Sequence, residues 1–156
     1  ISKHEHSLIN RNAETILIEK LFPRAFLITP NLHEANQLLG RTITAPDQLE
    51  DAAKELAQLG PKNVLLKFTA EGHDRIDVLW TEDGQAHRFS SPALQTSNTH
   101  GSGCAYSAAI TALLAKNVDL PSAVDQAKRY ITKAIETNPE LGRDIGHGPI
   151  NFFAEG

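Results

Sequence analysis

Leu49-Glu50-Asp51-Ala52-Ala53-Lys54-Glu55-Leu56-Ala57-Gln58-Leu59-Gly60-Pro61-Lys62-Asn63-Val64-Leu65-Leu66-Lys67 decides the fold. Leu49, Ala52, Ala53, Leu56 and Leu59 recur at the spacing of one helix face. Gly60-Pro61 stops that helix, since glycine suits the position past a helix end and proline cannot continue the ladder. The next residues, Asn63 to Lys67, form a short continuous apolar run, the pattern of a strand buried on both faces. Helix, break and buried strand within nineteen residues is the grammar of an α/β protein.

Working outward, the same grammar recurs. Ala13, Ile16, Leu17, the stem of Lys20 and Leu21 follow helical spacing, and Pro23 ends that helix. Ala25 to Thr29 is a further apolar run, expected as a buried strand. Pro30-Asn31 stops it, and Glu34 to Leu39 forms a short helix closed by Gly40. Thr44 is the expected cap of the helix carrying Leu49, with Asp47 three residues on. Downstream, Ile76–Thr81 and Gln85–Ser90 predict a hairpin around Glu82-Asp83-Gly84. A helix is expected over Ala105–Lys116, and another from Pro121 to Asn138 with the stripe Ala123, Val124, Ala127, Tyr130, Ile131, Ala134 and Ile135. The expectation is a mostly parallel sheet with helices on both faces, plus a hairpin, in one domain over residues 1–156. Ligands of such sheets sit beyond the carboxyl ends of the strands, where Asn31 to Glu34 and Lys67 fall.

Composition narrows the function classes. The 156 residues carry 40% hydrophobic and 22% charged side chains and a net charge of −4. With a pI near 6.0 there is no basic footprint, so no nucleic-acid partner is expected. No run approaches ~18 apolar residues, so no membrane span is expected either. One cysteine cannot form an internal disulfide, which fits a cytoplasmic setting. The chain has no methionine and opens on a polar segment, and the expectation is a chain incomplete at its N-terminus.

The chemistry concentrates in Asn98-Thr99-His100-Gly101-Ser102-Gly103-Cys104, ahead of the small-residue run Ala105-Tyr106-Ser107-Ala108-Ala109-Ile110. Two glycines around a serine at a helix start expose backbone N–H groups where the macrodipole favours an anion. Cys104, the only thiol, stands at the edge of that anion site. A lone cysteine is most often a small buried hydrophobe, but a helix N-terminus favours the thiolate and hence a reactive role. The run is neither the phosphate loop ending in Gly-Lys-Ser/Thr nor a dinucleotide fingerprint, which needs a third glycine. Asn31 and Glu34, three apart on one helical turn, offer oxygens suited to a hydrated Mg²⁺, or form a capping pair. Lys67 either meets a phosphate as a point charge or snorkels to solvent. Seven histidines show no His-Glu-x-x-His pattern, and zinc has poor support.

Four segments together resemble the ribokinase-like superfamily in its vitamin-kinase branch, and most closely the hydroxymethylpyrimidine/phosphomethylpyrimidine kinase family. They are Leu27-Ile28-Thr29-Pro30-Asn31-Leu32-His33-Glu34-Ala35, Val64-Leu65-Leu66-Lys67 with Gly72-His73, Asn98 to Cys104, and Gly146-His147-Gly148-Pro149-Ile150-Asn151. One departure stands out: Phe68 to Glu71 separate Lys67 from Gly72, which the family keeps adjacent. The resemblance covers the whole chain but only the C-terminal portion of the family's length. It implies a ribokinase-like three-layer sandwich and ATP-dependent phosphorylation of the hydroxymethyl group of 4-amino-5-hydroxymethyl-2-methylpyrimidine, with a second transfer, to the phosphate so formed, left open. It further implies Cys104 as catalytic base, Gly101, Ser102 and Gly103 with Lys67 around the phosphates, Asn31, Thr96 and His100 near the nucleotide, and Glu34 with Asn31 for Mg²⁺ through water. A homodimer is expected. Pyridoxal or pyridoxine kinase activity on a hydroxymethyl pyridine is the alternative, and an inactive truncated domain serving as a binding or scaffold module is another.

Overall fold

The structure, a computed structural model, describes residues 11–69, 74–92, 94, 99–137 and 148–154. The chain divides into two compact units, Ile1–Ser90 and Ser91–Gly156.

The first unit begins with α1 (Arg11–Ile16), which runs through a π-helical turn at Leu17–Leu21 into a 3-10 turn at Phe22–Arg24. Pro23 does not itself end the run: it sits in the first turn of the 3-10 segment, where its missing N–H costs nothing, and the helical backbone ends at Arg24 with Ala25 extended. The apolar stripe also departs from expectation: Ile16 is 60% and Leu21 55% exposed, while Phe22 is buried. Strand β1 (Leu27–Ile28) is shorter than the Ala25–Thr29 strand read from sequence and only half-buried. It lies at one edge of the described sheet, beside β2 (Asn63–Phe68).

Helix α2 (Leu32–Leu39) starts two residues earlier than expected because Asn31 caps it, and Gly40 closes it with φ +63°. After a 3-10 turn at Pro46–Gln48 comes α3 (Leu49–Ala57). Thr44 is not its cap. Instead the Gln48 side chain reaches back, and its Oε1 accepts from the Thr44 N–H at 2.9 Å. Leu49, Ala52, Ala53 and Leu56 are fully buried, as the spacing required. Strand β2 (Asn63–Phe68) pairs in parallel with β1 and antiparallel with β3 (Arg75–Trp80). The order is β1-β2-β3-β4, with β4 at Ala86–Ser91, so the described sheet is mixed. The α2–α3 layer packs with Val64, Leu66, Phe68 and Val78 in one core. Leu65 and Leu79, cross-strand partners pointing the other way, are also fully buried. Burial on both faces explains why β2 shows no alternation.

The β3–β4 turn joins at the expected Asp83-Gly84. Gly84 adopts φ +79° and the Thr81 N–H donates to Gln85 O at 3.0 Å. The Thr81 hydroxyl donates to Asp83, which holds that carboxyl below the usual carboxylate range.

The second unit contains α4 (Ser102–Ala115) and α5 (Leu120–Glu136), packed on each other. Asp119 caps α5 by accepting from the Ser122 N–H at 3.0 Å, and Pro121 sits in the first turn. The predicted α5 stripe is buried apart from Tyr130, which is half-buried. Of the tail, Ile150 is buried.

Candidate functional site

In the first unit, two of the family-like segments meet. The strand β1 continues past its last ladder residue to an isolated parallel bridge between Asn31 and Lys67, in which the Lys67 N–H donates to Pro30 O at 3.0 Å. Asn31 and Lys67 therefore sit side by side at the carboxyl ends of adjacent strands. Asn31 and Glu34 form a reciprocal capping box: Asn31 Oδ1 accepts from the Glu34 N–H at 2.9 Å, and Glu34 Oε2 from the Asn31 N–H at 2.8 Å. The box that sequence spacing left open against a cation role is thus formed, and it fixes both side chains on one turn. Amide and carboxylate oxygens carry two lone pairs apiece, so a capping bond does not by itself use up either oxygen.

One partner of this corner escaped the sequence reading. Asp77 lies directly opposite Lys67 in the β2–β3 ladder and is only 5% exposed. Opposite charges at facing positions attract, so Asp77 sets the field around Lys67. Arg75, two residues along on the same face, has its guanidinium lowered by burial, an effect Asp77 partly offsets. An acid inside the strand Arg75-Ile76-Asp77-Val78-Leu79 was visible in sequence; its register opposite Lys67 was not.

The donor set suits a hydrated hard cation. Among the described residues no three His, Cys, Asp or Glu side chains cluster, so no caged site forms around Glu34. A single carboxylate beside an amide oxygen is the arrangement Mg²⁺ accepts when waters and substrate phosphates complete its shell.

In the second unit, the other two segments meet. His100 and Pro149 form a parallel bridge, with the His100 N–H donating to Gly148 O at 3.2 Å and the Ile150 N–H donating to His100 O at 3.3 Å. Gly101 adopts φ +84°, the left-handed conformation open to glycine, and is the N-cap of α4. This turn starts α4 three residues earlier than the expected Ala105. Ser102, Gly103 and Cys104 are consequently first-turn residues rather than loop. The Ser102 N–H donates to Thr99 O at 3.2 Å, so it is not an unobstructed donor. The N–H groups of Gly103 and Cys104 have no intrahelical acceptor, and among the described residues no backbone carbonyl accepts from them. Cys104 is exposed, not the buried hydrophobe a lone cysteine usually is. Exposed N–H donors at the positive end of a fourteen-residue helix, with a thiol on the same turn, can bind an anion and exchange a proton next to it. Thr96, Gly72, His73, Gly146 and His147 lie outside the described residues.

The profile of the phosphomethylpyrimidine kinase family matches residues 1–151. The chain is 46% identical to the thiamine biosynthesis bifunctional protein ThiED of Geobacter sulfurreducens, over 98% of this chain and 31% of that protein. It is 40% identical to the hydroxymethylpyrimidine/phosphomethylpyrimidine kinase of Haemophilus influenzae, over 99% of this chain and 58% of the relative. The chain thus spans between 31% and 58% of the length of these relatives. Among solved structures, an ADP complex of pyridoxal kinase from Bacillus subtilis is similar with a TM-score of 0.81 and 34% identity, over 92% of this chain and 56% of that one. That likeness, with the mixed sheet and its helices, shows the α/β, ribokinase-like fold expected from sequence. No helix among the described residues is long and apolar enough to cross a membrane.

Proposed function

The chain belongs to the phosphomethylpyrimidine kinase family, and on that premise we propose that its protein transfers the γ-phosphoryl group of ATP to the hydroxymethyl group of 4-amino-5-hydroxymethyl-2-methylpyrimidine, and then a second one to the phosphate of that product. The observation carrying this reading is the start of α4, where Gly101 turns the chain so that the Gly103 and Cys104 N–H groups stand exposed beside a solvent-accessible thiol.

Phosphoryl transfer asks a protein for positioning and charge neutralisation more than for covalent chemistry. The N–H groups of Gly103 and Cys104 would receive the charge spread over the transferred group's equatorial oxygens. Cys104 Sγ, as thiolate, would take the hydroxymethyl proton as the substrate oxygen bonds to phosphorus and the bond to ADP breaks. The thiol then returns that proton to solvent. Gly101 supplies the turn and Ser102, tied to Thr99, braces it. In the first unit, Lys67 would neutralise phosphate charge. Glu34 and Asn31 would hold the waters of Mg²⁺, which when bound screens the phosphates. His100 and Thr96 are assigned to the nucleotide's vicinity. We place residues 1–156 as the C-terminal portion of one kinase domain. The protein is assigned to the cytoplasm, in keeping with its single cysteine. It is assigned as a homodimer.

The matching family profile is that of phosphomethylpyrimidine kinase, and the relatives at 46% and 40% identity are named for thiamine biosynthesis and for the pyrimidine kinase, which supports the pyrimidine over the pyridine ring. The deciding experiment is Cys104→Ala in the intact gene product, assayed on both rings. The expected loss in kcat on the pyrimidine exceeds tenfold, or ~1.4 kcal/mol. A smaller loss removes the base role from Cys104, and faster turnover of pyridoxal by the unmodified protein would reassign the substrate.

A further inference from the structure

The tail beside the anion loop does more than pair with it. Its Phe152 ring lies over Gly101: a methyl group built at the Gly101 Cα would stand 3.0 Å from Phe152 Cζ. Phe152 is itself held from α5, because the Tyr130 hydroxyl donates to Phe152 O at 3.0 Å. One residue earlier, the Asn151 N–H donates to Ala134 O at 2.8 Å. Its side-chain amide donates to Thr137 Oγ1 at 3.2 Å. On the loop side, His100 is bonded to Gly148 and Ile150 through both its N–H and its C=O. The segment 148–152 is therefore fastened to α5 at one end and to the residue preceding Gly101 at the other.

The ring's position has a chemical consequence. Gly101 alone sets the left-handed turn that orients the first-turn N–H groups, and glycine is the residue with the widest freedom to leave such a conformation. A ring packed against its Cα removes the space into which the turn would relax. Phe152 is still 51% exposed, so the ring is not there to fill a core. We infer that Phe152, anchored by Tyr130, is a positioning residue that holds Gly101 and thereby aims the Gly103 and Cys104 N–H donors at the transferred phosphoryl group. The inference rests on the kinase reading for its catalytic consequence, while the orientation of the donors can be read without turnover.

The test uses the intact gene product with Tyr130→Phe, Phe152→Ala and Phe152→Tyr, the last keeping the ring. Two measurements are made: the backbone amide resonances of Gly101 to Cys104 without ligand, and kcat and the KM for ATP with the hydroxymethylpyrimidine. Tyr130→Phe and Phe152→Ala should move the Gly103 and Cys104 amide resonances. They should also lower kcat about tenfold with KM for ATP within about twofold, since misaimed donors lose transition-state stabilisation. Phe152→Tyr should restore both. Unmoved resonances in both variants, or a kcat within about twofold of the unmodified protein, overturn the inference. Equal losses in Phe152→Tyr and Phe152→Ala do so too. Should Phe152→Ala melt below the assay temperature, Tyr130→Phe, which deletes one hydroxyl, decides on the same two measurements. An unmodified protein without phosphoryl transfer defeats the kinase reading, and the amide resonances then still decide whether Phe152 sets the turn.

Discussion

Asn31 and Glu34 show how one pair of side chains can answer two demands. Their reciprocal hydrogen bonds, at 2.8 and 2.9 Å, start α2, and the same oxygens are the ones proposed for the waters of Mg²⁺. The two roles separate by substitution. Asn31→Ala deletes the acceptor for the Glu34 N–H and should destabilise the fold by about 1 kcal/mol. Glu34→Gln keeps an oxygen for the Asn31 N–H and removes only the charge. It should leave the urea midpoint nearly unchanged while raising the Mg²⁺ concentration needed for half-maximal activity several-fold. An unaltered Mg²⁺ requirement in Glu34→Gln would reduce the pair to a cap. Sequence offered both possibilities because Asn-x-x-Glu at a helix start satisfies either. The structure shows the cap, and its formation is what makes the cation role geometrically orderly.

At the scale of elements, the stretch 49–67 read well because stripe, stop and apolar run agreed, although α3 ends at Ala57 and Leu59 of the expected stripe lies beyond it, half-buried against the same core. Elements where local signals conflicted read less well. The expected α1 stripe leaves Ile16 and Leu21 exposed, and its second half is a π turn, which periodicity does not foresee. Thr44 is not the cap because the Gln48 side chain folds back on the entry turn, where its Oε1 accepts from the Thr44 and Ala45 N–H groups. Helix α4 started early because a glycine with φ +84° can begin a helix without a side-chain cap. The hairpin carries a pH signature. Asp83 is held below its ordinary value, chiefly by the Thr81 hydroxyl. A group depressed in the folded state contributes stability that is full above its unfolded value and lost as pH falls through the folded one. Thr81→Val should therefore be less stable than the unmodified protein at neutral pH, and the gap should close on acidification below the ordinary carboxylate range. Urea unfolding at a series of pH values checks this; a gap independent of pH would assign the loss to packing of Thr81, which is buried.

For the whole molecule, the four family-like segments come together in pairs, 27–35 with 64–67 in one unit and 99–104 with 148–151 in the other. The first pair is joined by the parallel β1–β2 ladder and the Asn31–Lys67 bridge, the second by the His100–Pro149 bridge, in each case between residues far apart in sequence. If these pairs serve a kinase, nucleotide must stabilise the intact gene product. ATP with Mg²⁺ at roughly a hundredfold excess over Kd should add about 2.7 kcal/mol, visible as a rise of several degrees in Tm. No rise at saturating concentrations would count against the kinase reading. Sequence by itself determined the elements whose causes are local: the α3 stripe, the β2 run, the Asp83-Gly84 turn, the small-residue helix behind Gly101, and the family those motifs spell. Only the tertiary structure decided which strand neighbours which, that Lys67 stands beside Asn31 and opposite Asp77, and that Phe152 lies over Gly101. Periodicity and capping act over a few residues along the chain. Register and ring packing act across space between segments whose separation in sequence carries no record of the contact.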